Sequence, residues 1–378
     1  MKYVDEFRDG ELARALAQAI DQAAQPDRHY RLMEFCGGHT HALARYGVLD
    51  LLPANVEMIH GPGCPVCVLP IGRIDEAIAL ALDQKVILAS YGDVLRVPAS
   101  NQQSLIRARA QGADIRMVYS VDDALDLARQ NPQREVVFLA IGFETTTPPT
   151  AVAILQAARE RLANFSVLCY HVLTPAAMHA ILASGEVAID GFVGPAHVST
   201  VIGSQPYDVF ASQHRKPVVI AGFEPLDVMQ AILMLIEQIN AGVARVENQF
   251  TRAVTREGNR KAQQLVAQVF TLRTSFEWRG LGEIADSALA IRPEYAAFDA
   301  ELKFGLNYHS VPDHKACECG PILRGVLKPK DCKLFATVCT PEHPLGACMV
   351  SSEGACAAHF AYGRHLESAL KAKTESQP

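Results

Sequence analysis

The chain has 378 residues, 49% of them hydrophobic and 20% charged, a composition that supports a full globular core. The 35 Lys and Arg against 41 Asp and Glu give a net charge of −6, and with no basic run, one Trp and 7% aromatics a nucleic-acid surface is set aside. The most apolar stretch, 228–236, lies between Asp227 and Glu237 and is far too short to cross a bilayer; the N-terminus carries acids and no apolar run of a secretory signal, so a cytoplasmic protein without a membrane span is expected.

Val4, Phe7, Leu12, Leu16 and Ile20 fall near helical spacing and Pro26 follows, which predicts a first helix. Short apolar runs then alternate with helical patterns. Strands are expected at 31–35, 56–60, 86–90, 115–119, 136–141, 167–171, 189–193 and 218–221. Helices are expected at 74–82, 100–110, 122–129, 151–162, 175–183 and 226–239. This alternation implies βαβ units and parallel sheets, so the fold class is α/β. A weak internal echo pairs Ile141-Gly142-Phe143-Glu144 with Ala221-Gly222-Phe223-Glu224, each at a strand end, where ligands of α/β sheets bind. The echo and the chain length favour two small domains over one large sheet. Beyond about Ala241 a helical pattern at 257–270 leads into a loop-rich, cysteine-rich stretch at 312–356, and 367–378 reads as a frayed polar helix and tail.

Ten cysteines carry most of the functional information. Cytosolic cysteines that cluster point to metal or redox chemistry rather than a disulfide framework. Cys36 ends a strand in Glu34-Phe35-Cys36-Gly37-Gly38-His39-Thr40. The two glycines turn the chain, and the following amides, or His39 if charged and close, would lower the thiol pKa. Cys64 and Cys67 form a CxxC in Gly61-Pro62-Gly63-Cys64-Pro65-Val66-Cys67, suited to a redox disulfide or to two ligands on one metal. With no second CxxC, a four-cysteine zinc ribbon built on it is unsupported. Six cysteines, Cys317, Cys319, Cys332, Cys339, Cys348 and Cys356, fall within 40 residues on loops punctuated by Gly and Pro. That pattern suits four-thiolate ligation, iron–sulfur ahead of zinc. Six thiols for four ligands leave two spare: Cys317 and Cys319 compete for one role, and Cys348 is read as the bystander. Cys169 reads as core, and His171 and His197, each following a strand, either cap and pack or face a cleft. Glu144 is either a helix cap or a carboxylate beside the cleft for proton transfer. No P-loop is present, so a Walker-type ATP site is unsupported.

The segments 34–40, 61–67, Gly142-Phe143-Glu144-Thr145-Thr146-Thr147-Pro148 and 348–356 together resemble the signature segments of the HypD family, accessory proteins of [NiFe] hydrogenase maturation, over nearly the whole chain. The resemblance implies two Rossmann-like α/β domains around a cleft, at 31–130 and 131–240. A third, helical and loop-rich region from both chain ends, 1–30 and 241–378, would hold a [4Fe-4S] cluster. It further implies a complex with a small HypC-type chaperone, on which the Fe(CN)2(CO) cargo is assembled with cyanide from a HypE-type donor. Cys36 would bind the iron, and Cys64 and Cys67 would pass electrons, with His39 and Glu144 beside them. Cys332, Cys339, Cys356 and one of Cys317 or Cys319 would hold the cluster. The rival expectation is a cluster-dependent thiol–disulfide reductase acting on a partner protein.

Overall fold

The computed structural model describes residues 5–363. Nine strands form two wholly parallel sheets. One holds β1 (Tyr30–Glu34), β2 (Val56–His60), β7 (Gly191–Pro195), β8 (Val218–Ala221) and β9 (Val246–Asn248) in the order β2-β1-β7-β8-β9. The other holds β3 (Ile87–Ser90), β4 (Ile115–Met117), β5 (Val136–Gly142) and β6 (Phe165–His171) in the order β4-β3-β5-β6. Every residue of β5 and of β6 is buried, as expected where helices cover both faces of a parallel sheet. This is the α/β class expected, with two sheets rather than one.

The sheets do not follow the division at residue 130. That cut separates β3 and β4 from β5 and β6, which pair in one sheet: Leu88 lies opposite Val137, and Val137 opposite Ser166. The reason is edge satisfaction. β5 is apolar on both faces and takes a neighbour on each side, while β1, paired with β2 on one edge, leaves its other edge to β7. The β3–β6 block is therefore an insertion into the first sheet.

Among the described residues the first helix and the cysteine-rich stretch belong to different cores. Asp9 caps the first helix, Gly10–Ala23, by accepting from the N–H of Glu11 at 2.8 Å and Leu12 at 3.0 Å, so the helix opens later than its apolar spacing suggested. It packs on helix Pro225–Asn240, where Ile20 meets a core of Ile232, Leu235 and Ile236 under the first sheet. The cysteine-rich stretch packs instead in the core that joins both sheets.

After β9 come two antiparallel pairs missed by the sequence reading: β10 (Phe270–Leu272) with β13 (Leu289–Ile291), and β11 (Ser275–Trp278) with β12 (Gly282–Ala285). The second pair is held through Phe276 by Arg73 from helix Ile71–Asp83. Its guanidinium donates to Glu76 at 2.9 Å and Glu301 at 2.7 Å and lies 3.9 Å from the Tyr308 ring, 4.9 Å from Tyr170 and 5.1 Å from Phe276. The expected tail at 367–378 lies outside the described residues. No helix among the described residues is long and apolar enough to cross a membrane.

Candidate functional site

Both sheets aim the carboxyl ends of their strands at one cleft of about 530 Å³. Cys36 follows β1, Gly63 and Pro65 follow β2, Tyr91 and Asp93 follow β3, and Phe143, Thr145 and Thr146 follow β5. His197 follows β7, and Ser351, Ser352 and Glu353 reach in from the C-terminal stretch.

Cys36 caps the helix Gly37–Arg45, its carbonyl accepting from the N–H of His39 at 2.9 Å and Thr40 at 3.2 Å. The two glycines, expected to make a turn, instead open a helix that the low propensity of Gly-Gly had hidden, and the thiol before them is buried. The CxxC loop lies across the cysteine: a Cβ on Gly63 would stand 2.5 Å from the Cys36 Cα and backbone N. Beneath it, the buried Glu34 accepts from Cys36 N–H at 3.0 Å, from Nδ1 of His60 at 2.8 Å and from the Thr40 hydroxyl. Nε2 of His60 in turn meets Nε2 of His359 at 3.2 Å.

The electrostatics reverse the expected thiol activation. Burial pushes the Cys36 thiol well above its ordinary pKa, Glu353 and Glu34 add to the rise, and the amides of Gly38 and His39 only partly oppose it. His39 supplies no charge, because burial lowers its pKa as well. Its Nε2 lies 3.0 Å from the carbonyl oxygens of Ala221 and Gly222, and its ring packs on Phe223 at 5.0 Å. The charges near the thiol are acidic. Glu353 has a raised pKa through burial and the proximity of Asp93 and Glu34. A buried thiol with Glu353 and Glu34 near it is a poor free nucleophile, and a cation bound there would displace its proton.

Glu144 is placed elsewhere. Its carboxylate accepts from Thr174 N–H at 2.9 Å and Thr174 hydroxyl at 3.0 Å, capping helix Thr174–Ser184 rather than its own, and it lines a separate pocket with Val266 and Phe270. Burial raises its pKa to about 7. Its motif neighbours Phe143, Thr145 and Thr146 are the ones that face the cleft. His171 is core, its Nε2 2.9 Å from the Thr150 hydroxyl and its pKa lowered by burial to about 4, and Cys169 is buried against Leu289. His197 does line the cleft, its ring tilted 46° against Phe223 with centroids 4.1 Å apart.

Cys64 and Cys67 are joined in a disulfide. Their short helix, Pro65–Val68, shows Pro65 and Val66 to the cleft. Cys67 faces the other way: a Cβ on Gly354 would stand 3.1 Å from its Sγ. Immediately beyond lies a small cavity lined by Cys317, Cys319, Cys332, Cys339 and Cys356 with Ile322, Leu334, Phe335 and Met349. Cys348 is buried beside these thiols, and its pKa and that of Cys319 are both raised by neighbouring thiols and burial, but it does not line the cavity. Leu345 N–H donates to Cys339 Sγ at 3.4 Å. Among the described residues no group of three or more His, Cys, Asp or Glu side chains is drawn together into a metal-ion geometry. The donor set still fits an iron–sulfur group: soft thiols only, apolar walls and backbone N–H aimed at sulfur.

Sequence reasoning missed Glu34, Asp93 and Glu353. Glu34 and Glu353 stand inside the motifs quoted for their cysteines, and their polarity in otherwise apolar or small-residue runs was the available signal.

Fold and site together define a two-sheet α/β protein with a cysteine at its cleft and a second thiol centre behind a CxxC disulfide. The family model described as "Hydrogenase formation hypA family", HypD, matches residues 11–363. The "Hydrogenase maturation factor HypD" of Cupriavidus necator is 66% identical over 378 residues, covering 98% of this chain and all of its own. Those of Rhizobium leguminosarum bv. viciae and Escherichia coli K12 are 64% and 46% identical, each across at least 96% of both chains. The chain belongs to the HypD family of hydrogenase maturation factors.

Proposed function

We propose that this protein is a cytoplasmic scaffold on which, with a small HypC-type chaperone and a HypE-type cyanide donor, the Fe(CN)2(CO) group of the [NiFe] active site is assembled. The observation that carries this reading is the buried thiol of Cys36, with Glu353 and Glu34 near it, at the meeting point of both sheets. Iron there is substrate, and thiolate softness suits a low-spin ferrous ion. Asp93 and Glu353 add negative charge toward the cation, and Glu34 holds the Cys36 backbone in place. A partner covering the cleft would exclude water.

The cysteine-rich stretch at 312–356 is the cluster region. Cys319, in contact with Cys356 and deeper than Cys317, is the fourth ligand beside Cys332, Cys339 and Cys356. A [4Fe-4S] cluster bound there would supply electrons singly. Reducing the Cys64–Cys67 disulfide takes two electrons and two protons and yields two thiols, and the packing of Cys67 Sγ beside Gly354, two residues before Cys356, supports a path to it from the cluster region.

The deciding experiment is Cys36→Ala in the full chain. The expected result is unchanged iron and sulfide content with hydrogenase maturation abolished. Normal hydrogenase activity with Cys36→Ala, and its loss with Cys64→Ala, would replace the scaffold by the thiol–disulfide reductase reading. A parallel pair, Cys317→Ala and Cys319→Ala, should lose cluster iron only in the second; loss in the first alone would reverse the assignment.

A further inference from the structure

The cysteine cavity shares a wall with a surface groove. Leu345 N–H donates to Cys339 Sγ at 3.4 Å, and a Cβ on the next residue, Gly346, would stand 2.4 Å from Cys319 Sγ and 2.5 Å from Cys317 Sγ. Leu345 also lines a groove of about 720 Å³, bounded by residues 96–104 and helix Leu105–Ala110 on one bank and by residues 342–345 on the other. This groove shares no lining residue with the cleft of Cys36, so a partner seated in the cleft leaves it open. A single residue separates it from a thiol of the proposed cluster.

The groove is built in advance. Arg96 ties its banks together by donating to the carbonyls of Pro341 at 3.3 Å and Val350 at 2.6 Å. Ser100 fixes the loop by donating to Asp75 from its N–H at 3.0 Å and its hydroxyl at 2.6 Å. The lining is apolar at Pro98, Leu345 and Ile106, which is 46% exposed. Its charges are the guanidiniums of Arg96 and Arg107 against the carboxylate of Glu342, with the imidazoles of His314 and His343 beside them. Arg107 donates to the Gln102 carbonyl, and among the described residues neither arginine pairs with a carboxylate. Exposed apolar surface with excess positive charge complements an acidic protein face. A small anion would leave Ile106 uncovered, and a two-fold contact between copies of this chain would set these cations against themselves.

We propose that this groove is the docking surface of an acidic one-electron carrier protein, which delivers electrons to the cysteine-held cluster through the wall at Leu345 and Gly346. The inference rests on the cluster reading above and deepens it by naming the class of its reductant. In each encounter one electron leaves the reduced carrier and enters the cluster: the carrier is oxidised, the cluster is reduced, and no bond forms or breaks. Two encounters supply the two electrons that the Cys64–Cys67 disulfide takes up.

The test uses the full chain, purified without oxygen, with flavodoxin as the acidic one-electron probe. Wild-type iron and sulfide content is measured first; its absence overturns the cluster reading, and this inference with it. With iron present, Arg107→Glu should weaken the binding of oxidised flavodoxin, read by calorimetry, about tenfold and slow electron transfer from reduced flavodoxin by a similar factor. Reduction by the methyl viologen radical, a small cation, should not slow. Arg109→Glu, exposed on the same helix but outside the groove, should stay within about twofold of wild type for both readouts. Absence of flavodoxin binding to the iron-replete wild type, or equal binding by wild type and Arg107→Glu, overturns the proposal. So does a wild-type dimer that Arg107→Glu breaks while the flavodoxin rate is unchanged, which would seat a second copy in the groove. If Arg107→Glu fails to hold iron, the wild type decides: raising salt from about 50 to about 500 mM should cut the flavodoxin rate about tenfold, and a salt-independent rate overturns the proposal.

Discussion

Glu144 shows how a residue in a signature motif can be structural while its neighbours line the site. The sequence left it open between a cap and a cleft carboxylate, because spacing along a strand-to-helix turn does not say which way a side chain leaves it. The structure turns it onto Thr174 and away from Cys36. Burial raises its pKa to about 7, above the ordinary carboxylate value near 4.5, so the folded protein holds a proton that the unfolded chain releases. Its contribution to stability is complete below about pH 4.5 and is lost as pH rises through about 7. At 1.36 kcal/mol per unit the swing is at most about 3 kcal/mol. Glu144→Gln should therefore flatten that part of the pH profile, becoming more stable relative to wild type at pH 8 than at pH 5. Urea midpoints at the two values check this; parallel profiles would mean the carboxylate is ionised in the fold. Cys36 was legible as a cleft thiol at a strand end, but its high pKa was not, since that comes first from burial and then from Glu353 and Glu34, which only the fold brings near it.

At the scale of elements, period and composition carried the long, buried pieces. β2 and β8 fall at their expected residues, and β5 and β6 are longer than expected by one and two residues, because nonpolar runs on a doubly covered sheet have one reading. The hairpins of β10 to β13 were not legible: strands of three and four residues are held by what they pack on, not by their own pattern. For β11 Arg73 is that anchor, and in sequence it is one charged residue on an amphipathic helix. Its side chain is 9% exposed, and Arg73→Met would leave Glu76 with the Tyr170 hydroxyl but no cation and part of Glu301 without its partner. The expected loss is about 3–5 kcal/mol, read as a lower urea midpoint, with partial recovery on adding Glu76→Gln. A loss below about 1 kcal/mol would show that Arg273, which also pairs with Glu301, carries the knot instead. Gly63→Ala tests the other close approach. With backbone atoms of Cys36 2.5 Å away, the loop or the cysteine must move, so cysteine-36-dependent hydrogenase maturation should fall while the core holds.

For the molecule as a whole, the decisive feature is that one disulfide is packed between two centres. Two sheets were expected and are present, but their interleaving was not legible, because strand pairing across the insertion is set by free edges rather than by order in the chain. That interleaving brings the ends of β1, β2, β3 and β5 to one cleft and leaves the CxxC helix as the partition. On its cleft side Gly63 touches the Cys36 backbone, and on its far side Cys67 touches Gly354, within the segment that carries Glu353 and Cys356. Closely packed interiors transmit such displacements instead of absorbing them. Breaking the Cys64–Cys67 bond should thus be felt on both sides. Hydrogen exchange compared before and after chemical reduction should rise together at 36–40, 65–69 and 346–356, and leave β5 and β6 unchanged. A change confined to 64–68 would show that the thiol pair switches without moving either centre, and that any coupling between them is carried by electrons alone.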